Sequence, residues 1–186
     1  MSAAVGFWVT LAVLLFWALG AYNRLVRLRA QVIGSFGSVD QRLEQVLLEL
    51  TPGPLSRTSF VDVLPGSAKM SLADRDGLLA ASAQLTQSLR FARKQPLDAN
   101  AVAALKTAFD TMHVAWQRFQ ADGADRSGPD SPASPSDQRG WEGHTQLARE
   151  AMETYNRAVL AYNSAIGQFP AMLLAYLFGF REARCL

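Results

Sequence analysis

Cysteine and histidine are almost absent: one cysteine, Cys185, and two histidines, His113 and His144, stand among 186 residues. A lone cysteine excludes an internal disulfide and any cysteine-built zinc cluster. No H-E-x-x-H, G-x-S-x-G or glycine-rich phosphate loop occurs, so those signatures of metal hydrolysis, serine hydrolysis and nucleotide binding are missing. Also missing is any sustained alternation of apolar and polar residues, the mark of a half-buried strand. Charge of both signs is absent from Met1 to Asn23. Over the whole chain 18 basic residues face 16 acidic ones, and a net +2 is too small to point to nucleic acid.

What the N-terminus does contain is Ala3 to Ala21, a run of uncharged and mostly apolar residues. As a helix it reaches roughly 28 Å, close to the ~30 Å thickness of the hydrocarbon core. Trp8 and Trp17 sit towards its two ends and Tyr22 just beyond, as in an aromatic belt. A cleavable signal peptide needs a basic leader, a shorter apolar core and a small-x-small site. Here no basic residue precedes the core, the core is full length and Leu19-Gly20-Ala21 is a poor cleavage signal, so residues 1–22 read as a transmembrane anchor. Arg24, Arg27 and Arg29 follow the span and no basic side chain precedes it. Positive charge stays on the cytoplasmic side, so a single-pass protein of the cell membrane is expected, with its N-terminus outside and its body cytoplasmic.

Residues 23–120 and 141–186 carry helical stripes. Leu25, Val32, Val39 and Val46 form one seven-spaced series, and Phe36, Leu43 and Leu50 another. Gly34 and Gly37 either weaken this helix or admit a neighbouring backbone. Thr51-Pro52-Gly53-Pro54 ends it. A loop follows, with a short apolar piece at Phe60, Val61, Val63 and Leu64. A second helix is expected over Ser71–Lys94, capped by Ser71 with Asp74, and buried through Leu78, Ser82, Leu85, Leu89 and Ala92. Asp98 caps a third, whose face is Val102, Leu105, Phe109, Met112, Trp116 and Phe119. Residues 121–140, with three prolines and almost no apolar side chain, read as a flexible loop. The fourth helix runs from about Gln146 to Gly167, with Ala148, Met152, Tyr155, Val159, Tyr162, Ile166 and Phe169 on one face. The expected fold is all-α: a transmembrane helix followed by an up-down-up-down antiparallel four-helix bundle.

Few residues offer chemistry. Asp110 and His113 share a helix face, but a metal-binding bundle needs several such ligands from facing helices, so a solvated pair is the expectation. His144 is expected in solvent. Cys185 has no histidine near it in sequence and is the last residue but one, at an end expected to be too mobile for a preorganised nucleophile. No catalytic residue, cofactor or metal is assigned. The Tyr-Asn pairs are more informative. Tyr22-Asn23 opens helix one, while Tyr155-Asn156 and Tyr162-Asn163 lie seven apart on helix four. Mid-helix asparagine is unfavourable, so its amide needs a partner. Bonds across the helix one–helix four seam would fix register; a ligand-contacting patch is the alternative. Finally, Phe169 to Phe180, FPAMLLAYLFGF, is too short to span a bilayer. Pro170 breaks the helix there. The segment either packs on helix one near Tyr22 or lies in the interface, with Arg181 and Arg184 towards acidic headgroups.

The two ends of the chain together resemble the LemA family. Its front motif matches at Tyr22, Asn23, Leu25, Val26, Leu28 and Arg29. The closing signature matches at Tyr155, Asn156, Ala158, Val159, Tyr162, Asn163, Ile166, Phe169, Pro170, Leu177, Phe178, Gly179 and Phe180. The middle departs, with ELTPGPLSRTSFVDVLPG in place of the family's continuing helix. The resemblance implies a membrane-tethered four-helix bundle without catalytic residues, acting as scaffold or adaptor. Some members are linked with membrane-associated proteases, and one relative serves magnetosome formation. The bilayer and at least one protein are therefore expected partners, with a membrane protease and a second copy among the candidates. A regulatory or sensing partner of a protease is the alternative, and a metal-binding bundle enzyme a distant one.

Overall fold

The anchor and the first heptad series merge into one uninterrupted helix, because no proline occurs before Pro52. The computed structural model describes residues 2–50, 68–124 and 135–186, and every regular element among them is helical. These are α1 (Ser2–Leu50), α2 (Ala68–Lys94), α3 (Ala99–Ala124), α4 (Pro135–Ile166) and α5 (Ala171–Phe178). With 49 residues, α1 is about 73 Å long. Its apolar first part is long enough to cross a membrane and is left unburied: its most hydrophobic 18-residue window has a mean hydropathy of 1.9 and is 0% buried.

Beyond the span, both seven-spaced series point inwards, and Leu25, Val32, Phe36, Val39, Leu43, Val46 and Leu50 are all buried. Each such side chain contributes roughly 1.5–3 kcal/mol. Their main partner is α4, which runs antiparallel along α1. Glu49 meets His144 at 3.7 Å, the Phe36 ring meets Tyr155 at 5.9 Å, and the Trp17 ring meets Phe169 at 5.4 Å, so position on α4 rises as position on α1 falls. The second close pair is α2 with α3. Asp98 joins them as expected, its carboxylate accepting from the Ala101 N–H at 2.8 Å. Arg93 ties α2 to α1 by bonding Asp40 at 2.5 Å and also Glu44. Trp116 of α3 stacks on Trp141 of α4, with centroids 4.6 Å apart. The core draws on all five helices.

Several expectations are corrected. Helix α2 begins at Ala68, so Ser71 lies within it and does not cap it. Ala81, not Ser82, is its buried residue at that turn; the Ser82 hydroxyl bonds the Leu79 carbonyl instead. Helix α4 starts at Pro135, well before Gln146, because Trp141 has an aromatic partner in α3. Helical structure therefore enters the expected loop from both sides, and residues 125–134 lie outside the described residues. So does the loop with Phe60, Val61, Val63 and Leu64. Gly34 and Gly37 face open space, with nothing within 4 Å of a Cβ at either, and the helix runs on through them. Met152 is only half-buried. Phe169 is 70% exposed and stands beyond the end of α4. His144 is half-buried against Glu49 rather than solvated.

Candidate functional site at the foot of α1 and α4

Helix α4 ends at Ile166, and Pro170 restarts the chain as α5 in a new direction, bent by 98°. Because α4 lies alongside α1, α5 lies almost at right angles to the apolar span, at the level of Trp17 to Tyr22. One face of α5 is small: Ala171 and Ala175 are buried and let the helix approach closely. The Tyr22 ring lies 5.1 Å from Phe178 and 6.2 Å from Phe180. The opposite face is large and apolar, with Met172, Leu173, Tyr176 and Leu177 between 54% and 90% exposed. One face of FPAMLLAYLFGF thus packs on α1 near Tyr22, as the first expectation had it, and the other face is bare. A crevice of about 700 Å³ opens between the span and this elbow, lined among others by Phe16, Trp17, Phe169 and Pro170, with Arg24 at its edge.

Near the span, Trp8 is 66% exposed and Trp17 46% exposed. Arg24, Arg27 and Asn23 are exposed. Arg29 is engaged, its guanidinium 5.8 Å from the centre of the Phe180 ring.

Gly179 ends α5 with φ of 70°, a conformation that strains any residue with a Cβ. The chain then turns back along α4, away from the span. The Asn163 amide donates to the Ala183 carbonyl at 2.8 Å and accepts from the Ala183 N–H at 2.9 Å. Asn156 treats Leu186 the same way, at 2.9 and 2.8 Å. Tyr155 donates to the Pro96 carbonyl at 2.9 Å, with the Arg184 carbonyl at 3.4 Å as a second acceptor. Burial pushes the Tyr155 hydroxyl up to about 12 from its ordinary 10. Burial also raises Tyr162, against an opposing pull from Arg29.

Tyr155, Asn156 and Asn163 therefore do find partners, but not those expected. Neither helix-four amide bonds across to α1; both hold the backbone of the returning tail. Arg184 is correspondingly carried up to Tyr155, away from the apolar stretch of α1. Cys185 is half-buried in this pinned segment rather than loose. His113 lies 3.3 Å from both Gln117 and Arg149, and Asp110 pairs with Lys106 at 3.4 Å. Desolvation, then Arg149, lowers the His113 pKa. Among the described residues no group of three or more His, Cys, Asp or Glu is placed to hold a metal.

Comparison with known protein families, characterised proteins and solved structures finds no match. The residues that sequence reading missed are Ala183, Leu186 and Pro96, which contribute only backbone groups. Their sole trace was the unmet need of Asn156 and Asn163 for partners.

Proposed function

We propose that this chain is a membrane-anchored scaffold or adaptor, a LemA-like four-helix bundle held at the bilayer by α1 and, at a second point, by α5. The observation that carries this reading is the right angle between α5 and the apolar span, at the span's own edge. A helix crossing the bilayer along its normal puts such an elbow in the plane of the headgroups. There the bare face of Met172, Leu173, Tyr176 and Leu177 lies against acyl chains, the arrangement of an interfacial helix. Two attachment points fix the body's tilt and rotation over the membrane, which a single flexible tether does not. Arg24 and Arg27, exposed just past the span, favour the cytoplasmic side for the body.

The test uses the full chain in liposomes containing anionic lipid. Cys185 is replaced by serine and an environment-sensitive fluorophore is placed on a cysteine substituted for Leu177. Blue-shifted emission, quenched by brominated lipid, is the expected result; water-like emission overturns the second attachment. Labelling of a cysteine introduced at Ser131 from outside intact cells overturns the cytoplasmic placement. Mild-detergent purification is expected to retain a stoichiometric partner or a second copy, and a bare monomer overturns the scaffold reading.

A further inference from the structure

Asn156 and Asn163 are seven residues apart on α4, about 10.5 Å along the axis. Ala183 and Leu186 are three residues apart, about 10 Å when extended. The two spacings match, so the ladder of paired bonds requires an extended tail. Each amide serves as donor and acceptor to the N–H and C=O of one residue, which is how an added strand is read through its backbone. Side-chain demands are few. Ala183 is 6% exposed and must be small, whereas Glu182 and Arg184 face solvent and are unconstrained. Phe180 is held between Tyr22 and Arg29.

We propose that this face of α4 is an exchangeable peptide site, and that its occupant in trans is the Ala183–Leu186 segment of a second copy. The seat is already filled in cis by that same sequence, so a second copy brings identical chemistry. Gly179, at positive φ, marks where the tail leaves α5 and where a rotation redirects it. The four steps from Gly179 to Ala183 span about 13–14 Å when extended. That exceeds the 8–10 Å between packed helices, so the tail reaches a copy whose α4 faces it. Reciprocal exchange closes a two-fold pair in which the two α4 helices face each other. The inference rests on the tail contacts alone and stands whether or not α5 enters lipid.

The test mixes two full-length versions carrying different tags in detergent. Ala183→Pro removes the N–H that bonds Asn163 and leaves a vacant seat. Asn156→Ala with Asn163→Ala leaves a free tail and no ladder. Cross-tag recovery of the mixed pair is expected to exceed that of either version with itself at least tenfold. A synthetic peptide of residues 180–186, with serine in place of Cys185, is expected to dissociate the pair. Recovery no greater in the mixture overturns exchange and leaves the tail a cis element only. Should Ala183→Pro fail to fold, wild-type chain decides: excess of the same peptide is expected to accelerate alkylation of Cys185, the chain's only thiol, about tenfold and saturably. An unchanged rate overturns the proposal.

Discussion

Asn163 and Ala183, twenty residues apart, exchange two hydrogen bonds, the amide donating at 2.8 Å and accepting at 2.9 Å. A side-chain amide that satisfies both polar groups of one backbone unit holds the tail through its main chain, alongside the buried Ala183 side chain. Each bond is worth about 0.5–1.5 kcal/mol net. Asn163→Ala should therefore favour tail opening by roughly 1–3 kcal/mol, on the order of 5- to 150-fold. Because the loss is local, the main unfolding transition should shift little. The check is the alkylation rate of Cys185, which should rise in Asn163→Ala and again in the Asn156→Ala double variant; an unaltered rate refutes the ladder.

Tyr155 links stability to alkaline pH. Its hydroxyl titrates near 10 in an unfolded chain and at about 12 in the fold, since burial disfavours the phenolate. The folded state thus keeps its proton where the unfolded state has lost it. This stabilisation is fully present below pH 10 and is lost as pH rises from 10 towards 12. Tyr155→Phe removes the bond to Pro96 and should cost about 1 kcal/mol near neutral pH. It should also flatten the alkaline fall in Tm. A Tm series from pH 8 to 11.5 on both chains measures the difference.

Gly34 and Gly37 sit in the interior of α1 with nothing within 4 Å of a Cβ at either. Alanine has room and a better helix propensity, so each substitution should stabilise by about 0.5–1 kcal/mol. Thermal unfolding of Gly34→Ala and Gly37→Ala in detergent tests this. A lowered Tm in the purified monomer would contradict the open environment seen at both positions.

Thr145 is 3% exposed, and its hydroxyl finds no hydrogen-bond partner among the described residues. Burying an unpaired hydroxyl costs roughly 1–3 kcal/mol. Thr145→Val keeps the branched shape and removes the unpaired group, so it should raise stability by about 1 kcal/mol. Chemical denaturation at constant slope is the measurement, and a lower midpoint would show that the hydroxyl is bonded.

The span, the helical class and most of the core were legible in order. Leu25, Val32, Val39 and Val46 recur every seven residues, and local periodicity decides which side of a helix faces inwards. The same holds for the six apolar positions from Val102 to Phe119, all buried. Periodicity failed where partners are distant in sequence. Trp141 looked like the edge of a loop until Trp116 stacked on it. The pairing of Arg93 with Asp40 and Glu44 likewise left no mark in the local pattern. Phe169 continued the fourth stripe on paper, yet Pro170 had already ended the helix that the stripe presumed.

By itself the order of residues determined an N-terminal helix long and apolar enough to cross a membrane, because length and absence of charge are properties of a continuous segment. It determined too that Asn156 and Asn163 need partners, since an amide within a helix has a local cost. Which groups meet that need was decided only by the tertiary structure. The angle of α5 and the turn at Gly179 send the tail back along α4, and its backbone groups, which carry no side-chain signature, fall within reach of the two amides. The direction of α5 across the foot of the span was likewise a matter of packing, set by how closely Ala171 and Ala175 let one helix lie against another.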